Sequence, residues 1–170
     1  MNKKVKISAI VLLGMLAITS CGKKDTTTTD ASEINQTEDE SQAEAVSNEL
    51  VIEGNDQMQF NKKELRATAG QPITLTLKHV GQIPKEAMGH NLVILQEGTD
   101  EAAFAAKAIT AKETDYIPAS EKASIVAHTK LLGGGEEDTI QFTIDKKGTY
   151  NFLCTFPGHV AMMKGVLIVE

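Results

Sequence analysis

Apolar and polar residues alternate along much of the chain from residue 49 onward. The alternation is clearest at residues 74–78 and 139–144, and a period of two is typical of strands with one buried face. Clusters of glycine, asparagine, aspartate and proline separate the short apolar runs. The pattern predicts strands at residues 50–52, 73–80, 91–96, 124–129, 139–144, 149–155 and 165–169.

One segment departs from this period. Residues 100–114 are rich in alanine, lysine and glutamate, which favour a helix, and Thr99 or Asp100 precedes the segment as a candidate cap. Short strands over residues 49–170 with one inserted helix predict an all-β fold, a β-sandwich.

The amino-terminal pattern is that of an export signal. Three lysines precede an apolar run at residues 7–18, and this run is shorter than the roughly 20 residues needed to span a bilayer. Residues 18–21, Ile-Thr-Ser-Cys, resemble a bacterial lipobox, whose cysteine becomes lipidated. We therefore predict a lipoprotein signal peptide at residues 1–20 and a lipid on Cys21. Gly22 replaces the aspartate of inner-membrane retention signals, which favours the outer membrane or the periplasmic face of a bacterial cell envelope.

Charge divides the rest of the chain. Residues 22–48 hold seven acidic residues, two lysines, one isoleucine and one valine, too little apolar surface to offset the entropy of folding. We predict that residues 21–48 are the lipidated cysteine with an acidic flexible tether, and that residues 49–170 are the folded domain. The formal net charge of −6 excludes the broad basic surface that binds nucleic acid.

Candidate metal chemistry lies near the carboxyl end. With Cys21 lipidated, Cys154 has no cysteine partner for a disulfide. His159 and Met163 follow Cys154 at C-x4-H-x3-M spacing. A Pro-Gly pair between Cys154 and His159 predicts a turn. His90 offers a second imidazole. A thiolate, two imidazoles and a distant thioether suit a copper electron-transfer centre. Zinc would also accept cysteine and histidine, but it gains little from a thioether.

Five short motifs follow one another in the domain: GNDQMQF at 54–60, MGHN at 88–91, AHTKL at 127–131, CTFPGH at 154–159 and MKG at 163–165. Together they resemble the azurins, the blue-copper proteins of the cupredoxin class. The resemblance extends over about residues 51–169. It implies a cupredoxin Greek-key β-sandwich with one type 1 copper ion.

The resemblance implies three strong copper ligands, His90, Cys154 and His159. It also implies Met163 as a weak axial ligand and the backbone carbonyl of Gly89 as a weak contact. Met162 competes with Met163 for the axial position. Asn91 and Thr155 would tie the two ligand loops together, and Phe156 would donate its backbone N–H to the sulfur.

The resemblance also implies an apolar docking patch around His159, which would lie near the surface as the electron port. The patch residues are Met58, Ile83, Ala87, Met88, Pro157, Ala161 and Met162. Of the two other histidines, His79 is predicted to be a core imidazole and His128 a surface residue.

The chain departs from azurins in three features. It lacks their disulfide near the amino terminus, Leu92 replaces a buried tryptophan, and soluble azurins have no lipobox or tether. We therefore predict a membrane-tethered electron carrier that cycles between Cu(I) and Cu(II), turns over no substrate and exchanges electrons with redox proteins, either cytochrome-like proteins or copper enzymes. The alternative is a copper-binding or storage lipoprotein that uses the same ligands without a redox partner.

Overall fold

The computed structural model describes residues 45–170, whose strands form two β-sheets. The strands are β1 (Glu49–Asn55), β2 (Gln59–Phe60), β3 (Glu64–Ala67), β4 (Pro72–His79), β5 (Val93–Leu95), β6 (Ile125–His128), β7 (Glu137–Thr143), β8 (Gly148–Leu153) and β9 (Lys164–Val169). One sheet has the order β2-β1-β4-β7, and the other has the order β3-β9-β8-β5-β6.

Two parallel pairings connect parts of the chain that are distant in sequence. β1 pairs with β4, and β3 pairs with β9, whereas the other strand pairs are antiparallel. The ends of β1 and β4 lie side by side, with Gly54 opposite His79. These two strand ends form part of the surroundings of the candidate site.

The alternation seen in the sequence places the core between the sheets. In β4, Ile73, Leu75 and Leu77 are fully buried and alternate with partly exposed residues. Phe152 of β8 and Leu167 of β9 are also fully buried and belong to the same cluster. Burial of each such side chain stabilises the fold by about 1.5–3 kcal/mol.

The predicted all-β sandwich is confirmed. Each of the seven predicted strands overlaps an observed strand, while β2 and β3 were not predicted. β2 has only two residues, too few for a visible period. β3 has the sequence ELRA, whose residues favour helices, so its pairing with β9 overrides the local preference.

Helices occupy the connections between strands. α1 is a single turn, Lys85–Met88, and α2 is Glu101–Ala108. Asp100 caps α2 as predicted, because its Oδ1 accepts hydrogen bonds from two backbone N–H groups of the first turn, at 2.9 and 3.0 Å.

The predicted extension of this helix to residue 114 is wrong. Thr110 donates its hydroxyl to the carbonyl of Lys107 at 2.9 Å, and such side-chain bonds compete with the helix. Beyond a short 3-10 turn at Lys112–Thr114, Asp115 and Tyr116 adopt left-handed conformations, with φ of 54° and 63°. The chain therefore leaves the helical path after Ala108.

The predicted signal peptide, Cys21 and most of the tether lie outside the described residues. The boundaries at residues 20 and 48 stay predictions. Within residues 45–170, no helix has the length and apolar character needed to cross a membrane.

Candidate metal centre

The loop between β8 and β9 carries three of the predicted ligands. Cys154 follows β8 directly and is fully buried, and its N–H donates to the carbonyl of Met163 at 2.9 Å. Gly158 has φ of +85°, a conformation that glycine adopts without strain. The turn at Gly158 and a short 3-10 segment, His159–Ala161, return the chain so that His159 Nδ1 lies 3.7 Å from Cys154 Sγ.

The connection between β4 and β5 supplies the second imidazole. His90 is fully buried, and its Nε2–H donates to the backbone carbonyl of Asn55 at 2.8 Å. The other ring nitrogen, Nδ1, is buried and has no hydrogen-bond partner among residues 45–170. Its lone pair is therefore free to bind a ligand, because the proton of the neutral ring is on Nε2.

These residues form one donor group. The ligand atoms of His90, Cys154 and His159 all lie within 4.8 Å of one another. The carbonyl oxygen of Gly89 is 3.9 Å from Cys154 Sγ. A buried thiol, two imidazoles and a nearby carbonyl, with one imidazole nitrogen lacking any partner, fit the donor set of a copper ion.

The two candidate methionines differ in burial. Met163 is fully buried, whereas Met162 is 51% exposed. A Cβ at Gly54 would lie 2.9 Å from His90 Cδ2 and 3.2 Å from Met163 Cε, so the Met163 side chain packs beside the His90 ring. Met163 is thus the buried methionine beside His90, and its assignment as the axial ligand stays a prediction.

Hydrogen bonds connect the two ligand loops. Thr155 N–H donates to Asn91 Oδ1 at 2.8 Å, and Asn91 Nδ2 donates to Thr155 Oγ1 at 2.7 Å. Asn91 Nδ2 also donates to the carbonyl of Asp115 at 3.1 Å. These contacts join the residue after His90 to the residue after Cys154, and the role of Asn91 and Thr155 beside a metal stays a prediction.

Burial is the largest influence on the pKa values of these three donor residues. Burial raises the pKa of the Cys154 thiol to about 11, although hydrogen bonds from the backbone N–H groups of Asn91 and Phe156 act in the opposite direction. Burial also lowers the pKa of His159 to about 4 and lowers that of His90. At neutral pH the metal-free group therefore consists of a neutral thiol and two neutral imidazoles.

The remaining histidines lie as predicted. His79 is buried, donates from Nε2 to the carbonyl of Met88 at 2.8 Å and accepts at Nδ1 from Gly81 N–H at 3.1 Å. Its ring stacks on His90 with a centroid distance of 4.2 Å. His128 is exposed on β6.

The residues predicted to form the docking patch are accessible to solvent. Met162 and Met58 are 51% and 38% exposed, and the other predicted patch residues are exposed or half-buried: Ile83, Ala87, Met88, Pro157 and Ala161. His159 itself is only 3% exposed. The ring therefore exposes little area itself, while Gly158 and Ala161 on either side of it in the chain are exposed, and its role as the electron port stays a prediction.

The sequence did not reveal two contacts of the site. The Asn55 carbonyl orients His90, and Gly54 leaves the space into which His90 and Met163 pack. Both residues belong to the GNDQMQF motif, which carried the resemblance without a role for either of them. A backbone carbonyl and an absent side chain give no signal in residue chemistry.

Comparison with known protein families gives an independent result. The profile of the family described as copper binding proteins, plastocyanin/azurin family, matches residues 46–170. The outer membrane protein H.8 of Neisseria gonorrhoeae is 46% identical over 117 residues, which are 67% of this chain and 63% of that protein. The chain thus matches less than two thirds of that relative's length.

Shorter relatives match over nearly their whole length. The azurin of Alcaligenes faecalis is 42% identical over 124 residues, covering 70% of this chain and 95% of that protein. Among solved structures, auracyanin from Roseiflexus castenholzii has a TM-score of 0.67 at 40% identity and covers 74% of this chain and 99% of its own. An azurin from Methylomonas sp. strain J has a TM-score of 0.65 at 28% identity, with 72% and 97% covered.

Proposed function

Because this chain belongs to the plastocyanin/azurin family of copper-binding proteins, we propose that it is a type 1 copper electron carrier held to the cell envelope by a lipid on Cys21. The azurin resemblance and the cupredoxin β-sandwich predicted from the sequence are confirmed. The predicted cofactor, one copper ion, is confirmed as well, since the family binds copper and the chain holds a suitable donor group.

The observation that carries the proposal is the buried group of Cys154, His90 and His159. Its ligand atoms lie within 4.8 Å of one another, and His90 Nδ1 has no partner in the described part of the chain. In this assignment the three residues are the strong ligands, Met163 is the axial ligand and the Gly89 carbonyl is a weak contact. Copper bound there would supply a one-electron couple between Cu(I) and Cu(II).

The protein's contribution is to hold these donors in place. The Asn55 carbonyl keeps the Nε2 proton of His90 in position, so the same ring nitrogen faces the site in both redox states. Asn91 and Thr155 join the two ligand loops. Complete burial of His90 and Cys154 excludes water. Little rearrangement would accompany a change in the charge of the centre, which favours fast electron transfer.

Electrons would leave through the docking patch. In this proposal the patch surrounds His159, and its apolar side chains suit a small, transient contact with a redox protein such as a cytochrome or a copper enzyme. A carrier of this kind has no substrate-binding role, so we propose no enzymatic activity.

The envelope location rests on the amino-terminal residues. The signal peptide at residues 1–20 and the tether at 21–48 would place the domain, residues 49–170, outside the cytoplasm. The 27 residues that follow Cys21 in this tether would, as a flexible coil, have an r.m.s. span of roughly 30 Å and a maximum reach of roughly 90 Å. The name of the Neisseria relative, an outer membrane protein, supports an outer-membrane or periplasmic position.

A copper titration tests the proposed centre. The purified protein should develop an intense visible band with one equivalent of Cu(II), and ascorbate should bleach the band, because direct thiolate-to-copper bonding produces this absorption. Cys154→Ser should fold and lack the band. His159→Gly should regain colour with added imidazole, since it lacks only one ligand. A blue Cys154→Ser protein would refute the ligand assignment.

A further inference from the structure

Two loops beside the candidate centre meet at the carboxylate of Asp56. Asp56 directly follows β1, while Gln82 and Ile83 lie in the connection between β4 and α1. Asp56 Oδ2 accepts a hydrogen bond from Gln82 N–H at 2.8 Å, and Oδ1 accepts one from Ile83 N–H at 3.3 Å. One side chain therefore clamps the β1–β2 turn to the loop that leads toward His90.

The clamp lies one residue from the carbonyl that orients His90. This carbonyl belongs to Asn55 and accepts a hydrogen bond from His90 Nε2–H. The Asn55 side chain accepts backbone N–H groups of Gln57 and Gln59 at 3.0 and 3.2 Å, so the turn is held from within as well. Asp56 connects this turn to the neighbouring loop. A shift of residue 56 would therefore move the peptide group whose carbonyl contacts His90.

The carboxylate also carries a charge close to the site. The hydrogen bond from Gln82 lowers the pKa of Asp56, so the group is ionised at neutral pH. Asp56 directly follows Asn55, whose carbonyl bonds to His90, so this charge lies beside the site. A negative charge there stabilises the more positive of two redox states.

We propose that Asp56 is a positioning residue for the copper centre, which holds the Asn55 carbonyl against His90 and favours the oxidised state through its charge. The inference rests on the proposed function. Asp56 contacts neither the sulfur nor a ligand nitrogen among the hydrogen bonds of the described residues, so it acts through Asn55 and through its electrostatic field.

Asp100 provides a matched control. Its carboxylate also accepts two backbone N–H groups, those of Ala102 and Ala103, but these bonds stay within α2 and its cap. Asp56→Ala and Asp100→Ala each remove one carboxylate and two hydrogen bonds. Asp56→Asn removes the charge and one of the two hydrogen bonds, because Asp56 uses both of its oxygens. Asp100→Asn removes the charge and is able to keep both hydrogen bonds, which share Oδ1.

Two measurements on the full-length protein test the proposal. The first is the exchange rate of the His90 Nε2 proton, followed by NMR in the copper-free protein. We expect at least about a tenfold increase in Asp56→Ala and no change in Asp100→Ala, because only Asp56 steadies the acceptor of this proton. The second is the reduction potential of the copper-loaded protein, which should rise in Asp56→Asn and change much less in Asp100→Asn.

The outcomes separate this proposal from its premise. If the two aspartate sites give equal effects in both measurements, Asp56 is an ordinary turn cap and the proposal is wrong. If Asp56→Ala does not fold, the comparison of Asp56→Asn with Asp100→Asn decides by the same criteria. Absence of a blue band in the unmodified protein would instead refute the copper function, and the proton exchange in the metal-free protein would still report on the clamp.

Discussion

Single hydrogen bonds determine which atoms of the site are ready to bind metal. The Asn55 carbonyl accepts a hydrogen bond from the Nε2–H of His90, which leaves a free lone pair on Nδ1. Cys154 differs, because burial keeps its thiol protonated, with a pKa of about 11. Copper binding at Cys154 would therefore displace the thiol proton, while the two neutral imidazoles would not need to lose a proton at neutral pH.

The buried imidazoles predict an acid-sensitive metal-free protein. The pKa of His159 is about 4 in the folded protein and 6.5 in the reference state, so below pH 6.5 the unfolded chain takes up the proton first. Stability is full above pH 6.5 and falls as the pH decreases toward 4. The loss is on the order of 3 kcal/mol from this residue. Urea unfolding of the copper-free protein between pH 7.5 and 4.5 measures it.

Two histidine variants isolate this effect. His159→Gln should reduce the slope, because it removes one of the two imidazoles that must stay neutral, and His90 should cause the part that remains. His128→Gln should retain the slope, since His128 is exposed. An unchanged slope in His159→Gln would show that other groups cause the acid sensitivity.

At the level of elements, alternation along the chain predicted the strands that form the core. The prediction failed where contacts distant in sequence decide the structure, as in β3, whose helix-favouring residues form a strand only by pairing with β9. It also failed after Ala108, where threonine hydroxyls bond to the backbone. Side-chain chemistry revealed the candidate donors Cys154 and His90. Their orientation depends on backbone atoms, which every residue has and which the sequence therefore cannot distinguish.

The end of β1 offers a test of how closely the elements pack at the site. In Gly54→Ala the new methyl group would lie 2.9 Å from His90 Cδ2, closer than carbon atoms allow, so the His90 ring must move. We expect a loss of about 1–3 kcal/mol in stability and a weaker, shifted visible band. Urea unfolding and copper titration measure these effects.

Gly148→Ala is the matched control. Its methyl group would lie 3.1 Å from Glu97 Oε1, the end of a flexible side chain that is able to rotate away. This variant should keep both stability and colour. If Gly54→Ala also behaves like the unmodified protein, His90 is not held as tightly as its contacts indicate.

For the whole molecule, the proposed docking patch around His159 predicts where electrons exchange. Met162→Lys would place a hydrated charge on this surface, and its desolvation on contact opposes association. Electron self-exchange, measured by NMR line broadening in mixed oxidised and reduced samples, should fall by at least about tenfold while the visible band is retained. Val51→Lys changes a side chain of similar exposure, 45%, on β1 and should have little effect. Equal rates in Met162→Lys and the unmodified protein would mean that the patch is not the route of exchange, and would favour either copper storage or a different exit route near His128.

The proposed anchor predicts a change of cellular location. Without the Cys21 thiol no lipid can be attached, so Cys21→Ser should appear in the soluble fraction or remain unprocessed. Cys154→Ser removes the other cysteine of the chain and should stay in the membrane fraction. Cell fractionation followed by immunoblotting measures both variants. Membrane association of Cys21→Ser would contradict the lipid anchor.

The parallel pairing of β3 with β9 has a consequence for when copper is acquired. β9 joins β3 and also β8, the strand directly before Cys154. The core therefore cannot be completed until residues 164–169 have paired with both strands. The donor residues on either side of β9's partner strands come together only after that step, so copper would bind to a chain that has already folded and would not initiate its folding.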